Sequence, residues 1–376
     1  MSLTTSVSSD EDLAALRDSV RSFLEAKSPI SVIREAMDTE DGFDRDVWRM
    51  MAEQLGLQGL SLPERFGGSG FGMIEQLIVF EELGRSLYGG PYFSTVALAA
   101  GLLLQSDDES AKAEYLPRIA SGDLIATVAL VESDESWSFE NVATRAQLDG
   151  EHWTVSGVKP YVTDGSVAEL ILVPAMTSQG LSLFAVEGSA EGVTKAPLEV
   201  MDATRKQSQL TFAAAPARLI GAAGHTQEWL RKLLVTATIS LSGEQVGGAK
   251  RLLEISVEYA KTRQQFGRFI GSFQAIKHKC ATLYLETESA GVVARYAAWT
   301  VDEGMDDDAV VAASMAKSYC SDVFTHAAAE NIQIHGGVGF TWDNDGHLFL
   351  RRAKTSEVLL GDAVYHRNLL AEHLEI

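Results

Sequence analysis

Three groups of residues in this chain have the types and spacing to do chemistry. Arg263 closes a long helical run and is followed by Gln264-Gln265-Phe266-Gly267. A guanidinium is planar and permanently charged, so it suits a pyrophosphate. Gln333-Ile334-His335-Gly336-Gly337-Val338-Gly339-Phe340 sets two glycines behind a glutamine, and glycine lets backbone amides approach an anionic or planar ligand closely. Glu244 is a lone carboxylate in the run Ile239-Ser240-Leu241-Ser242-Gly243-Glu244-Gln245-Val246-Gly247-Gly248-Ala249. A carboxylate in such surroundings is costly unless paired, protonated or functional, and an apolar setting raises a carboxyl's pKa toward that of a base working near neutrality. Gly243, Gly247 and Gly248 leave room either for a bulky ligand or for a close helix contact. Each group has a plainer rival: a solvated helix end, a Gly-Gly turn between helices, and a buried Glu paired with an Arg or Lys of another helix.

The elements that must carry these groups follow from the apolar periodicity. Ser9-Asp10-Glu11-Asp12 offers acidic capping before Leu13, Leu16, Val20 and Phe23, an amphipathic helix pattern. Val47, Trp48, Met51 and Leu55 mark a second helix that stops at Gly56 and Gly59, and Pro63 and Gly67-Gly68 break the chain. Another helix is predicted over 72–87. Over 127–219 the period shortens to alternating runs such as His152-Trp153-Thr154-Val155 and Leu181-Ser182-Leu183-Phe184-Ala185-Val186. These predict an antiparallel β-domain with one buried face. Long helical segments return over 229–262 and 274–303, as in a four-helix bundle. The expected architecture is α+β and multidomain: an N-terminal all-α domain over 1–124, a middle antiparallel β-domain over 125–224, and a C-terminal four-helix bundle over 225–376.

The net charge of -21 disfavours a nucleic-acid groove, which needs clustered Lys and Arg. Cys280 and Cys320 each sit alone in an apolar helical pattern without metal-ligand spacing, so both read as buried thiols and no metal site is expected. The start, Met1-Ser2-Leu3-Thr4-Thr5-Ser6, is polar and lacks a signal-peptide apolar region. No window approaches the roughly 18 apolar residues of a membrane span. A cytoplasmic, reduced setting is the default expectation.

The helical, β and bundle order, together with these motifs, resembles the acyl-CoA dehydrogenase family over nearly the whole chain. Trp48…Leu55-Gly56-Leu57…Leu62-Pro63-Glu64-Arg65-Phe66-Gly67-Gly68 and Glu81-Glu82-Leu83-Gly84-Arg85 add to the likeness. The resemblance implies FAD as cofactor, an acyl-CoA substrate, an electron-transfer flavoprotein as electron acceptor, and a homo- or hetero-oligomer of the dimer-of-dimers kind. By the same resemblance, Arg263 reaches the flavin dinucleotide's pyrophosphate across a subunit interface. Phe266, Gln274, Gln333, Gly336 and Gly337 contact the same cofactor. Lys159-Pro160-Tyr161-Val162-Thr163-Asp164-Gly165 resembles the family's Lys-x-Trp-Ile-Thr-Asn-Gly. That likeness gives Thr163 a hydrogen bond to the flavin near N5, and Tyr161 the place of the stacking aromatic. The flanking run Thr341-Trp342-Asp343-Asn344-Asp345-Gly346-His347 is similar to bacterial members acting on bulky acyl chains, with His347 structural. The family's Thr-Glu-Pro-Gly-x-Gly-Ser-Asp segment is replaced by Val131-Glu132-Ser133-Asp134-Glu135-Ser136-Trp137-Ser138.

The catalyst is harder to find. The family's reaction removes an α-proton while the β-hydrogen leaves as hydride, which needs a carboxylate near Cα. In register with Gln333, the usual Glu falls on Leu360. In register with Arg263, the alternative place on the first bundle helix falls on Ala237. Glu244, about two helical turns beyond Ala237, projects from nearly the same face and is the remaining candidate base. Asp362, beside Gly361, is the weaker alternative, with turn capping as its plainer role. The sequence thus supports an FAD-dependent acyl-CoA dehydrogenase subunit for a bulky, branched or steroid side-chain thioester, with Glu244 as base. The alternative is a catalytically silent partner subunit that completes flavin sites in a heteromer. An oxygenase or oxidase on the same fold is a third reading that no residue selects.

Overall fold

The structure is a computed structural model and describes residues 8–132, Trp137, Phe139 and residues 141–375. The polar start at residues 1–6 and residues 133–136 and 138 of the substituted segment lie outside the described residues. In chain order the elements are α1 (Asp10–Lys27), α2 (Ile30–Met37), α3 (Arg45–Leu55), α4 (Met73–Ser86), a π-helix (Phe93–Ala100) running into α5 (Gly101–Gln105), and α6 (Glu109–Ala120). Strands β1 (Ala126–Val128), β2 (Arg145–Asp149), β3 (His152–Thr163), β4 (Leu170–Thr177), β5 (Gly180–Glu187), β6 (Val193–Pro197) and β7 (Gln207–Ile220) follow. Then come α7 (Thr226–Thr262), a short hairpin of β8 (Gln264–Gln265) and β9 (Arg268–Phe269), α8 (Gln274–Asp302), α9 (Asp306–His335), α10 (Gly346–Val358) and α11 (Ala363–His373). Ser9 caps α1 in a reciprocal box with Asp12, and Gly56 ends α3 in the left-handed conformation, as the sequence signals predict. No helix among the described residues is long and apolar enough to cross a membrane.

The chain folds into two compact units, and the N-terminal helices divide between them. One unit gathers residues 1–34, 72–88 and 238–376; the other gathers 35–71 and 89–237.

In the first unit, α1 lies against α4 through buried charge. Arg17 donates to Glu81 and Glu82 at 2.6 and 3.0 Å, and Arg21 takes Glu82 with two donors. Asp302, at the end of α8, caps the start of α4 by accepting from the amides of Met73 and Ile74. Residues 238–249 of α7 are buried on every side, the condition of a helix that crosses a core. They pass α4 at backbone contact. A Cβ on Gly247 would overlap the carbonyl of Glu81, one on Gly84 would overlap the carbonyl of Glu244, and one on Gly248 would overlap the ring of Phe324. The glycines around Glu244 therefore serve close helix packing. The room they leave is filled by protein, which removes them as a sign of a bulky ligand.

In the second unit the strand pairings close into a ring, β4–β5–β7–β3–β2–β4, with β1 on β4 and β6 on β7. Closure leaves few free edges. Val155, Val162, Ile171, Val173, Phe184 and Leu210 fill its interior. Most pairs are antiparallel as expected, but β1 and β2 run parallel to β4. Alternation along a strand reports which face is buried and not the direction of its neighbour, so this part of the topology was not readable in advance. Cys320 is buried, whereas Cys280 is only partly so, a correction to the expectation of two buried thiols.

Gly247→Ala should cost about 3 kcal/mol or more, because the added methyl must displace the backbone of a packed helix. Thermal unfolding would show a loss of several degrees or no folded product. Gly337→Ala, at a position with nothing within 4 Å, should melt like the parent.

Candidate functional site

The helical unit brings together the two motifs that resemble cofactor contacts. After Arg263 the chain makes a hairpin in which Gln264 pairs with Phe269 and Gln265 with Arg268. Its two-residue turn, Phe266–Gly267, has φ of 53 and 77°, the left-handed pair that such hairpins demand. Glycine takes this conformation freely, whereas phenylalanine adopts it at a strain. Phe266 nonetheless stands at the tip, 91% exposed. Behind it, Arg268 lies 4.0 Å from the centroid of the Phe273 ring. The second motif begins where α9 ends, and Gly336 takes φ 66 and ψ -143°, which favours glycine. Ala260, Ile270 and Ile334 form one small core with Tyr259 and Phe273 packed on it, and Tyr259 stacks on His335 at 4.1 Å. The hairpin and the glycine turn thus share a foundation.

The side chains around this foundation are left open. The Arg263 guanidinium is exposed and makes no ion pair among the described residues, and Gln274 and Gln333 are exposed. A Cβ on Gly336 or Gly337 would meet nothing within 4 Å. A free permanent cation, two amide side chains and two bare backbone faces fit an anionic, planar dinucleotide such as FAD.

The β unit holds the other residues expected to contact the cofactor. Strand β3 breaks register with β7 between Lys159 and Val162. Tyr161 sits in that bulge with φ 57° and an exposed ring, an instance of a bulge re-aiming a side chain. Thr163 is only 4% exposed, yet its hydroxyl has no partner among the described residues. Its carbonyl accepts from Thr127 Oγ1 at 2.7 Å. Just before the bulge, the wholly buried Lys159 donates to Glu132, which also accepts from Thr144 Oγ1 at 2.9 Å. In the described part of the substituted segment, Glu132 therefore serves as counter-ion to β3.

The carboxylates weighed as bases are engaged. Glu244 is 4% exposed; Arg352 Nη1 stands 3.3 Å from its Oε1, and Ser356 Oγ donates to the same oxygen at 3.4 Å. Arg352 also donates to the carbonyl of Tyr88. Asp362 is exposed and caps α11, accepting from the amide of Tyr365 at 2.7 Å. Ala237 is buried, as is Leu360, which carries φ 61°.

Two side chains that sequence reasoning passed over fasten the turn at 359–362. Lys317 on α9, wholly buried, donates to the carbonyls of Glu357 and Gly361 and to Ser321 Oγ. His366 donates from Nε2 to the carbonyl of Leu360 at 3.0 Å. Burial pushes Lys317 down to about 7. Burial, with Lys317 adding to it, pushes His366 down to about 4. A lone Lys in the small, apolar run Ala313-Ser314-Met315-Ala316-Lys317 was the available signal. His347, expected to be structural, is buried edge-to-face on Trp342 at 4.7 Å.

Comparison with known proteins gives a consistent relationship. The family model for the acyl-CoA dehydrogenase N-terminal domain matches residues 10–123, that for the middle domain 127–214, and that for the C-terminal domain 228–375. The chain is 33% identical over 354 residues to acyl-CoA dehydrogenase IpdE2 of Mycobacterium tuberculosis, covering 93% of each. Among solved structures it is similar to a chain of the ChsE4–ChsE5 complex from Mycobacterium tuberculosis, with 29% identity, TM-score 0.88 and 98% of each chain covered. A chain of the Tcur3481–Tcur3483 steroid ACAD is similar at 29% identity and TM-score 0.88, over 97% of this chain and 98% of that one.

The depressed His366 makes a pH prediction. Its unfolded value is 6.5 and its folded value about 4, so the unfolded chain binds the extra proton between them. The stability it contributes is fully present above the unfolded value and is lost as pH falls toward the folded one. Denaturant midpoints measured from about pH 7 to pH 5 should fall in the parent and fall less steeply in His366→Gln.

Proposed function

Because the chain belongs to the acyl-CoA dehydrogenase family, oxidoreductases that act on acyl-CoA, we propose that it works as one subunit of a heteromeric, FAD-dependent acyl-CoA dehydrogenase. In this reading it completes flavin sites with a second subunit that brings the catalytic carboxylate. The observation that carries the proposal is the contrast between Glu244 and the cofactor motifs. Glu244 is closed against Arg352 and Ser356 inside packed helices. Arg263, Phe266, Gln274, Gln333, Gly336 and Gly337 stay open at the surface. FAD, when bound, supplies the acceptor for the β-hydride of the thioester. For this chain, Arg263 would neutralise the pyrophosphate, Gly336 and Gly337 would admit it to backbone contact, Thr163 would offer its hydroxyl to the ring, and Tyr161 would lie against it.

Assembly needs a protein face, and α8 offers one. Leu285, Val292, Tyr296 and Trp299 recur at helical spacing and remain exposed, and such a stripe marks a protein contact. The ChsE4–ChsE5 complex supports assembly with a different subunit, and the steroid ACAD supports a bulky, steroid side-chain acyl-CoA as substrate. Electrons would leave to an electron-transfer flavoprotein.

The test is to express the chain alone and together with a homologous subunit from the same genome. Flavin per subunit and ferrocenium reduction by a panel of acyl-CoAs are then measured. Alone, the chain should hold little flavin and turn nothing over; together, both should appear. Glu244→Gln in the complex should keep turnover within a few-fold while lowering the melting temperature, since breaking a buried ion pair costs about 3–5 kcal/mol. Turnover abolished with melting unchanged would make Glu244 the base and sink the partner reading.

A further inference from the structure

The π-helix Phe93–Ala100 is buried along its whole length. Helices of this kind are rare and cluster at functional sites. Its two hydroxyl side chains, Ser94 and Thr95, are fully buried and point toward the approaches to the Thr163 segment. Ser94 Oγ donates to Asp164 Oδ2 at 2.6 Å. Thr95 Oγ1 donates to the carbonyl of Ala126 at 3.0 Å and accepts from its amide at 3.1 Å. The next residue, Thr127, donates to the carbonyl of Thr163. The π-helix therefore reaches both sides of Thr163, once through Asp164 and once through β1.

The segment it reaches is strained. Tyr161 and Asp164 both take positive φ, 57 and 55°, and flank Val162 and Thr163. Left-handed non-glycine residues persist only where their surroundings over-determine them. Between them, Val162 and Thr163 pair with Ser208 and Gln207 of β7, and the amide of Asp164 donates to the carbonyl of Lys206 at 3.0 Å. These backbone bonds fix where the strand ends. The turn that follows Thr163 carries backbone bonds of its own, from Gly165 to the carbonyl of Val162 and from Val167 and Ala168 to that of Asp164, and the side chain of Asp164 ties it to Ser94 of the π-helix.

We propose that Ser94 is a positioning residue for the flavin-facing segment: its hydrogen bond to Asp164 latches the strained turn and so aims the unpartnered hydroxyl of Thr163. The proposal rests on the reading of Thr163 as a flavin contact.

The experiment uses the flavin-loaded complex, with amide hydrogen exchange at residues 162–165 and the visible absorption and midpoint potential of the flavin as readouts. Ser94→Ala should raise exchange there about tenfold, the scale of one lost hydrogen bond to a charged group, and should shift the flavin spectrum and potential. Asp164→Asn, which keeps an acceptor, should behave like the parent. Asp164→Gly separates latch from strain, because glycine accepts the backbone conformation without the bond. It should raise exchange and shift the flavin at least as much as Ser94→Ala, and a parent-like Asp164→Gly would overturn the proposal. Raised exchange in Ser94→Ala with an unchanged flavin, while Thr163→Ala does alter the flavin, would overturn positioning alone. A flavin indifferent to Thr163→Ala would overturn the underlying reading instead. Should Ser94→Ala fail to fold, Asp164→Gly and Asp164→Asn carry the same comparison.

Discussion

Helix α7 crosses the helical unit with residues 238–249 buried on all sides and its backbone against α4. That constraint governs what else the unit can contain. No water reaches a polar group on this stretch cheaply, so partners must come from protein: Ser242 finds the carbonyl of Thr238 within α7, and the longer side chains look to neighbouring helices. Gln76 donates to Ser240, Gln245 donates to Ser321 and the carbonyl of Ser356, and Glu244 meets Arg352 and Ser356. The answering groups lie on α4, α9 and α10, and α10 leads directly into the turn at 359–362. Lys317 and His366 then tie that turn down. One crowded helix thus sets the polar wiring of the bundle as far as the position where the family's usual base would stand.

The residues that resemble cofactor contacts follow the opposite rule. Phe266 is held at a φ that costs energy and is exposed almost completely, and Tyr161 is turned outward by a bulge in a similar conformation. Neither arrangement stabilises its own unit: exposed aromatic surface gains nothing from burial, and left-handed backbone is paid for by the surrounding fold. The Arg263 guanidinium likewise makes no ion pair among the described residues. Features that detract from stability yet are built with care fit contacts made outside the chain.

The regular elements were legible because their signals are local. Ser9 with Asp12, and Gly56 after Leu55, state where helices start and stop within a few residues. The exposed hairpin after Arg263 and the glycine turn after Gln333 were legible too, as contiguous strings with glycine at fixed places. What was not legible depends on partners distant in sequence. Gly243, Gly247 and Gly248 read equally as ligand room or helix contact until Leu77, Glu81 and Phe324 are seen against them. Glu244 reads as exceptional until Arg352 is found beside it. The parallel pairing of β1 with β4, and the role of Ser94 toward Asp164, both join segments whose own composition contains no trace of the other.

The pairing of Glu244 bears on chemistry as well as packing. A general base must reach its proton and change charge in every turnover. Here the oxygen nearest Arg352 also accepts from Ser356, so the carboxylate is engaged on the side its partners occupy. Removing either member of a buried pair such as this one costs far more than breaking an exposed pair. The same features that make Glu244 conspicuous in the sequence, isolation among small residues on a buried helix, are those that make it stiff in the fold. On the proposed reading, the second subunit brings the catalytic carboxylate, and this helix keeps its own for packing.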